Sequence, residues 1–179
     1  MNPLWAAIAM TLLLTCMDGF TAPPAHVQRG ALLFMDYCSG CHALRYLRNN
    51  QIAVPPVSMP VDDARRWFGQ VPPDLSLTAK ARGPEWLYTY LTSFYHDERQ
   101  PFGTNNQLVP DLMMPNPFAP LTADALDGVV VDLVAFLTYV SDPSASIRIK
   151  IGVGVMLFLL VLLTVVYRLK RLYWRRINK

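Results

Sequence analysis

Five consecutive residues could do chemistry together: Cys38, Ser39, Gly40, Cys41 and His42. Two thiols three positions apart, followed at once by an imidazole, form the Cys-x-x-Cys-His pattern of haem c attachment. In that pattern the thiols become thioethers to two vinyl groups at one porphyrin edge, and the adjacent histidine binds the iron. The motif therefore predicts one covalent haem c on Cys38 and Cys41, with His42 as an axial ligand.

The same cysteine pair could instead form a redox disulfide or half of a zinc site. A zinc site needs two more ligands, and only His26 and His96 remain among the histidines. A thioredoxin-like site needs a strand before the motif and a parallel βαβ pattern, and the sequence indicates neither. The immediate histidine and the short helix predicted before the motif favour haem.

A second axial ligand has to come from elsewhere in the chain. A thioether sulfur paired with histidine is usual in electron transfer, because this weak donor stabilises reduced iron and raises its potential. The candidates are Met59, Met113, Met114 and His96. Met114 lies in a proline-rich segment before the last helix of the domain, and this position favours it, followed by Met113. The alternative for any single methionine is gap filling in the core.

Other side chains could enclose a haem. Arg82 could pair with a propionate, since a guanidinium suits a carboxylate, although a solvated surface arginine is the simpler interpretation. His26 and His96 are expected at the surface. Aromatic rings could exclude water from a crevice or belong to an ordinary core: Tyr46, Trp67, Phe68, Tyr88, Tyr90 and Phe94.

Apolar periodicity predicts an all-α domain, and the haem motif makes it a domain of the cytochrome c type. The first and last helices of the domain are expected to pack on each other, with Gly30 allowing a close approach and Phe34 facing Leu133 and Leu137. The predicted helices cover His26 to Tyr37, Asp62 to Phe68, Glu85 to Tyr95 and Thr122 to about Val140.

An apolar segment lies near each end of the chain. Residues 1–22 include a stretch of 12 apolar-rich residues, Leu4 to Thr15, that suits an export signal, and Cys16 after it fits a lipoprotein box poorly. Residues 147–167 predict a transmembrane helix, and 17 of them, Ile151 to Tyr167, carry no charge.

Charge is divided unevenly along the chain. Residues 23–146, the predicted cytochrome c domain, are acidic: between Pro23 and Ile147 there are 12 acidic and 8 basic side chains. From Arg148 to Lys179 there are 8 basic side chains and no acidic ones. The positive-inside rule places the basic tail, residues 168–179, in the cytoplasm and the domain on the opposite side of the membrane.

Several runs resemble the cytochrome c1 family, and the bacterial form most. The haem motif is common to all c-type cytochromes, so the narrower evidence lies in the other runs and in the C-terminal anchor. These runs are Gln28-Arg29-Gly30-Ala31, Trp67-Phe68-Gly69, Pro72-Pro73-Asp74-Leu75-Ser76, Ala81-Arg82-Gly83, Trp86-Leu87-Tyr88-Thr89-Tyr90-Leu91, Asn105-Asn106 and Met114-Pro115. Two positions depart from the family pattern, Thr104 before the asparagine pair and Asn116 after Met114-Pro115.

The resemblance implies roles that spacing alone does not give. Met114 would be the sixth ligand, and the haem would be lined by Pro72, Pro73, Leu75, Arg82, Tyr88 and Pro117. The family takes one electron from a Rieske iron–sulfur protein and passes it to a cytochrome c, and its single span packs on cytochrome b. A subunit of a dimeric quinol–cytochrome c oxidoreductase in a bacterial inner membrane is therefore expected, with a periplasmic haem domain and no catalytic residue of its own.

Two other classes of haem protein stay open on sequence. The haem subunit of a nitric oxide reductase or terminal oxidase usually has an N-terminal anchor or two haem motifs. A ligand sensor or peroxidase would leave the sixth iron site open. A zinc module with no haem is the remaining alternative.

Overall fold

A computed structural model of the chain describes residues 24–47, Ile52 and residues 59–177. The signal-like segment at residues 1–22, with Cys16, lies outside this range. Six helices and one two-stranded hairpin follow one another in the described residues. They are α1 (Ala25–Tyr37), α2 (Val61–Phe68), α3 (Thr78–Arg82), α4 (Pro84–Thr92), β1 (Phe94–His96), β2 (Thr104–Asn106), α5 (Ala123–Ser141) and α6 (Ala145–Ile177).

The core lies between α1 and α5. Both helices carry apolar side chains at helical spacing, and these sides face each other. Phe34 and Phe136 are fully buried with ring centroids 5.6 Å apart. The remaining buried apolar residues of the two helices are Val27, Ala31, Val130, Leu133, Val134, Leu137 and Val140. The predicted pairing of the first and last helices of the domain is confirmed.

At Gly30 the backbones of α1 and α5 lie close together. A Cβ added to Gly30 would overlap the carbonyl oxygen of Asp132 and lie 2.7 Å from the Cβ of Phe136. The neighbouring Arg29 donates to both carboxylate oxygens of Asp132, at 2.7 and 2.9 Å. A missing side chain and a bidentate ion pair together fix the crossing of the two helices.

The segment from Thr78 to Thr92 is two short helices rather than one. Gly83 separates them with a φ of 93°, a conformation that side-chain-bearing residues rarely adopt. Pro84 then starts α4, where its missing N–H costs no helical hydrogen bond. This break sets the directions of Arg82 and of the aromatic residues that follow.

The hairpin corrects one sequence expectation. The helix predicted from Glu85 to Tyr95 ends at Thr92, and Phe94 to His96 pair antiparallel with Thr104 to Asn106. Buried polar groups explain the change: Asp97 accepts from Arg99 Nε at 2.9 Å and from Asn105 Nδ2 at 3.2 Å. The fold is still mostly helical, as predicted.

Among the described residues, those from Pro24 to Pro143 belong to one compact unit, and those from Ser144 onward, including α6, belong to a second. Among the described residues α6 is the one helix long and apolar enough to cross a membrane. Its 33 residues correspond to about 50 Å of helix, against about 30 Å for a hydrocarbon core. It contains the predicted span, residues 147–167, and continues unbroken into the basic segment as far as Ile177.

Candidate functional site

The Cys-x-x-Cys-His motif continues the last turn of α1. The amides of Cys38 and Ser39 both donate to the carbonyl of Phe34 at 2.9 Å. The amides of Cys41 and His42 then donate to the carbonyl of Cys38, at 3.1 and 2.9 Å. This helical turn places Cys38 and His42, four residues apart, on one cavity wall.

The imidazole of His42 is oriented by a backbone acceptor. Its Nδ1 lies 2.8 Å from the carbonyl oxygen of Pro73, and because a carbonyl only accepts, Nδ1 carries the proton. Nε2 therefore keeps its lone pair. Burial lowers the pKa of His42, while the Pro73 carbonyl and the nearby Asp74 carboxylate raise it by less. The net result favours the neutral ring that a metal ion requires.

The two cysteines form no disulfide with each other, and their surroundings differ. Burial, and to a smaller extent the proximity of Cys41, raises the pKa of Cys38 to about 12. Burial also raises the pKa of Cys41, which is partly exposed. Redox-active cysteine pairs have lowered pKa values, so these surroundings suit apolar thioethers better than thiolates.

A cavity of about 400 Å³ opens beside the motif. It falls within the range of cofactor sites, and its walls are largely apolar. The lining residues come from the motif, the segment after α2, α3 and α4, the loop before α5, and α5 itself: Cys38, His42, Phe68, Gln70, Pro72, Pro73, Leu75, Thr78, Ala81, Arg82, Trp86, Leu87, Tyr90, Leu91, Val109, Leu112, Met113, Met114, Pro115, Pro117, Leu133 and Leu137.

Eight of the ten predicted haem-binding residues line this cavity: Cys38, His42, Met114, Pro72, Pro73, Leu75, Arg82 and Pro117. Cys41 and Tyr88 do not line it. Tyr88 is 37% exposed on the outer side of α4, where its hydroxyl donates to Asp127. A contact between Tyr88 and haem stays a prediction carried by the family resemblance.

The candidates for a second axial ligand differ in whether they line the cavity. Met113 and Met114 both line the cavity, whereas Met59 and His96 do not. His96 is exposed, with Nε2 3.8 Å from Glu98 Oε1. The hydroxyl of Tyr90 donates to Sδ of Met114 at 3.5 Å.

A row of side chains at every fourth residue consists of Arg82, Trp86, Tyr90 and Phe94, and all of them but Phe94 line the cavity. The guanidinium carbon of Arg82 lies 5.2 Å from the ring centroid of Trp86. Trp86 stacks on Tyr90 with centroids 5.1 Å apart and planes 10° apart, and Tyr90 meets Phe94 edge-on at 5.7 Å. Trp86 and Tyr90 share one side of α4, whereas Phe94 follows in β1.

Asp74 is a site residue that sequence reasoning missed. Its carboxylate accepts from the amides of Arg45 and Ser76, at 2.8 and 2.9 Å. Burial alone would raise the pKa of Asp74, but hydrogen bonds from Ser76 and Arg45 outweigh it and lower the pKa. This brace, with the Leu75 amide bonded to the Ala43 carbonyl at 2.9 Å, holds the proline pair against the segment that follows the motif.

The chemistry of this site fits a haem c better than a bare metal ion. Within residues 24–47, 52 and 59–177 no three His, Cys, Asp or Glu side chains come together as a metal-binding group. The cavity instead combines thiol, imidazole and thioether groups with apolar walls and one guanidinium, which are the groups that a porphyrin with an axially ligated iron needs.

Comparison with known proteins agrees with this site. The model of the Cytochrome C1 family matches residues 56–177. This range begins after the haem motif, so the motif is separate evidence. The cytochrome c1 of Allochromatium vinosum is 34% identical, over 86% of this chain and 85% of its own length.

Two other likenesses extend over most of the chain. A protein of Nitrosomonas europaea named ammonia monooxygenase gamma subunit is 33% identical, over 85% of this chain and 83% of its own length. A solved structure titled hyperthermophilic respiratory Complex III contains a chain with a TM-score of 0.58 and 22% identity, covering 89% of this chain and 79% of that one. At this identity the structural likeness shows the fold alone.

A helical domain with a Cys-x-x-Cys-His turn beside an apolar cavity defines the class of c-type cytochromes. The chain belongs to the cytochrome c1 family. This confirms the resemblance seen in the sequence, and the family implies a c-type haem. The family and the long apolar helix α6 together support a single-pass membrane protein.

Proposed function

We propose that this chain is the haem c electron-transfer subunit of a quinol–cytochrome c reductase. It accepts one electron from a Rieske iron–sulfur protein and passes it to a cytochrome c. The observation that carries the proposal is the orientation of His42. Its Nδ1–H is held by the Pro73 carbonyl, so Nε2 remains available in a cavity that Cys38 and Met114 also line.

Each residue has a defined part in holding the cofactor. Cys38 and Cys41 would form the two thioethers, and Nε2 of His42 and Sδ of Met114 would bind the iron. When bound, the haem supplies a one-electron iron couple. Pro72, Pro73, Leu75 and Pro117 exclude water from it, and Tyr88 is proposed at its edge on family resemblance.

Arg82 is proposed to face a haem propionate. It is the one charged side chain among the cavity-lining residues described, and it is exposed, as expected at a rim. Its packing over Trp86 limits the conformations of the guanidinium. A planar fork held this way suits a carboxylate.

The chain on its own is an electron carrier, and the oxidoreductase activity belongs to the complex. If His42 and Met114 both bind the iron, one-electron transfer would need no substrate pocket in this chain. The expected partners are cytochrome b, which packs on α6, and the Rieske protein, in a complex expected to be a dimer.

The proposed topology follows from charge. The basic end of α6 stays in the cytoplasm of a bacterial cell, and the haem domain lies in the periplasm, anchored by one helix. Such an arrangement places the haem on the side where electron-accepting cytochromes diffuse.

The native complex tests the assignment directly. An affinity tag on this chain should co-purify cytochrome b and a Rieske protein, and mass spectrometry should show one covalent haem on the peptide containing Cys38 and Cys41. Co-purification of ammonia monooxygenase subunits instead would favour the function named for the Nitrosomonas relative. A peptide without porphyrin mass would refute the haem proposal.

The sixth ligand can be tested with two adjacent methionines. Met114→Leu should abolish the weak sulfur-to-iron absorption band of the oxidised protein, lower the reduction potential and allow carbon monoxide to bind. Met113→Leu is the matched control, since Met113 lines the same cavity, and it should keep the band. The opposite pattern would assign the ligand to Met113.

A further inference from the structure

We propose that Tyr90 is a positioning residue for the sixth ligand: its hydroxyl donates to Sδ of Met114 and sets how strongly that sulfur binds iron. The inference rests on the proposed function, because it requires a haem ligated by Met114. It concerns a hydroxyl that neither the haem motif nor the family's ligand set includes.

The contact has only one possible direction. The Tyr90 oxygen lies 3.5 Å from Met114 Sδ. A thioether sulfur has no hydrogen and is a weak acceptor, so the phenol must be the donor. Both side chains line the cavity, where a hydrogen bond competes with little water.

The ring of Tyr90 is held on two sides. Trp86 stacks on it at 5.1 Å, and Phe94 meets it edge-on at 5.7 Å. The Tyr90 backbone is held as well, since Asn106 Nδ2 donates to its carbonyl at 2.7 Å. Because these contacts restrict the phenol, its hydroxyl stays directed toward Met114 Sδ.

The hydrogen bond changes how strongly the sulfur binds the iron. A donated hydrogen bond draws electron density from the sulfur, which then donates less to the iron. Ferric iron depends on that donation more than ferrous iron does, so the hydrogen bond raises the reduction potential.

Tyr90→Phe tests the proposal because it removes one oxygen and keeps the stacked ring. The variant should lower the reduction potential, measured by spectroelectrochemical titration of the holoprotein, and shift the sulfur-to-iron band. Tyr95→Phe is the matched control: it makes the same change five residues away at a side chain that is 40% exposed and outside the cavity lining. If Tyr90→Phe and Tyr95→Phe both match the wild type in potential and band, the proposal is wrong.

A double-mutant cycle tests the role of the stacked ring. If Trp86 acts by holding Tyr90, the change in potential caused by Trp86→Leu should shrink in a Tyr90→Phe background. Equal changes in both backgrounds would show that Trp86 acts independently and would overturn the positioning argument. Loss of thermal stability alone, with the potential unchanged, would give Trp86 a purely structural role.

Failure of this inference is distinguishable from failure of the proposed function. A chain without covalent haem fails the proposed function before Tyr90 is tested. A wild-type protein with haem but no sulfur-to-iron band fails the Met114 assignment. A protein that shows the band and does not respond to Tyr90→Phe contradicts the role of the hydroxyl itself.

Discussion

At the scale of single residues, the pairing of His42 with Pro73 shows why a proline pair suits this position. Proline has a carbonyl but no N–H, so Pro73 can accept a hydrogen bond and cannot donate one. A neutral imidazole facing it must therefore be the donor. A peptide carbonyl also orients the ring without the charge of a carboxylate, and Asp74, which has that charge, is bonded to Arg45 and Ser76 instead.

Asp97 gives a residue-level prediction about pH. Hydrogen bonds from Arg99, then from Asn105, hold the pKa of Asp97 well below its usual 3.8. A lowered pKa in the folded state contributes stability that is present above the unfolded value and lost as the pH falls through the folded value. On acidification from about pH 5, wild-type stability should therefore fall more steeply than that of Asp97→Asn, measured by urea unfolding in detergent.

The control for this prediction is Asp62→Asn. Asp62 has a side chain that is 88% exposed and lies 4.0 Å from its only ion-pair partner among the described residues. Its replacement should leave the pH dependence of stability as in the wild type. Parallel acid profiles for wild type and Asp97→Asn would contradict the role given to Asp97.

At the scale of elements, replacing glycine by alanine is predicted to have opposite effects on stability at two positions of the α1–α5 pair. Gly30→Ala places a methyl group against Asp132 and Phe136, and such overpacking should destabilise the domain by about 1–3 kcal/mol. Gly128→Ala on α5 meets no atom within 4 Å and should stabilise it by about 0.5–1 kcal/mol. Thermal unfolding of the two variants compares them, and a neutral Gly30→Ala would show that the crossing can relax.

The sequence could predict α1, α5 and their contact, because their apolar periodicity is strong and Gly30 is the small residue between them. The hairpin could not be predicted. Its three-residue strands are too short to show alternation, and it depends on Asp97, Asn105 and Asn106 pairing while buried. Polar partners of this kind are set by tertiary structure and have no local sequence pattern.

The functional site likewise contains some residues that the sequence could predict and others that it could not. Trp86 and Tyr90 are four residues apart and share a helix side, whereas Tyr88 is turned about 200° from Trp86 and contacts Asp127 instead. The motif and the proline run could be found in the sequence because their chemistry is local. The Asp74 brace and the bond from Tyr90 to Met114 join segments 24 or more residues apart, so only the folded chain brings them together.

At the scale of the whole molecule, charge separation predicts how electron transfer depends on salt. The acidic domain, made more negative by the haem propionates, should attract a basic acceptor from a distance. The bimolecular rate with a basic cytochrome c should fall as ionic strength rises from about 0.01 M to about 0.1 M, because the Debye length shrinks from about 30 Å to about 10 Å. An acidic acceptor serves as the control and should show no such fall.

The cavity has one further consequence, for assembly. Its walls are formed by residues between Cys38 and Leu137, and it opens to the surface, so a chain without the cofactor leaves apolar walls in contact with water. Filling the cavity removes apolar surface from water, which stabilises the folded domain. A Cys38→Ser/Cys41→Ser chain, to which no porphyrin can be joined, should be degraded quickly by added protease, whereas the wild type resists. Haem attachment would then decide which chains assemble, because only chains that carry the haem resist proteolysis long enough to bind their partner subunits.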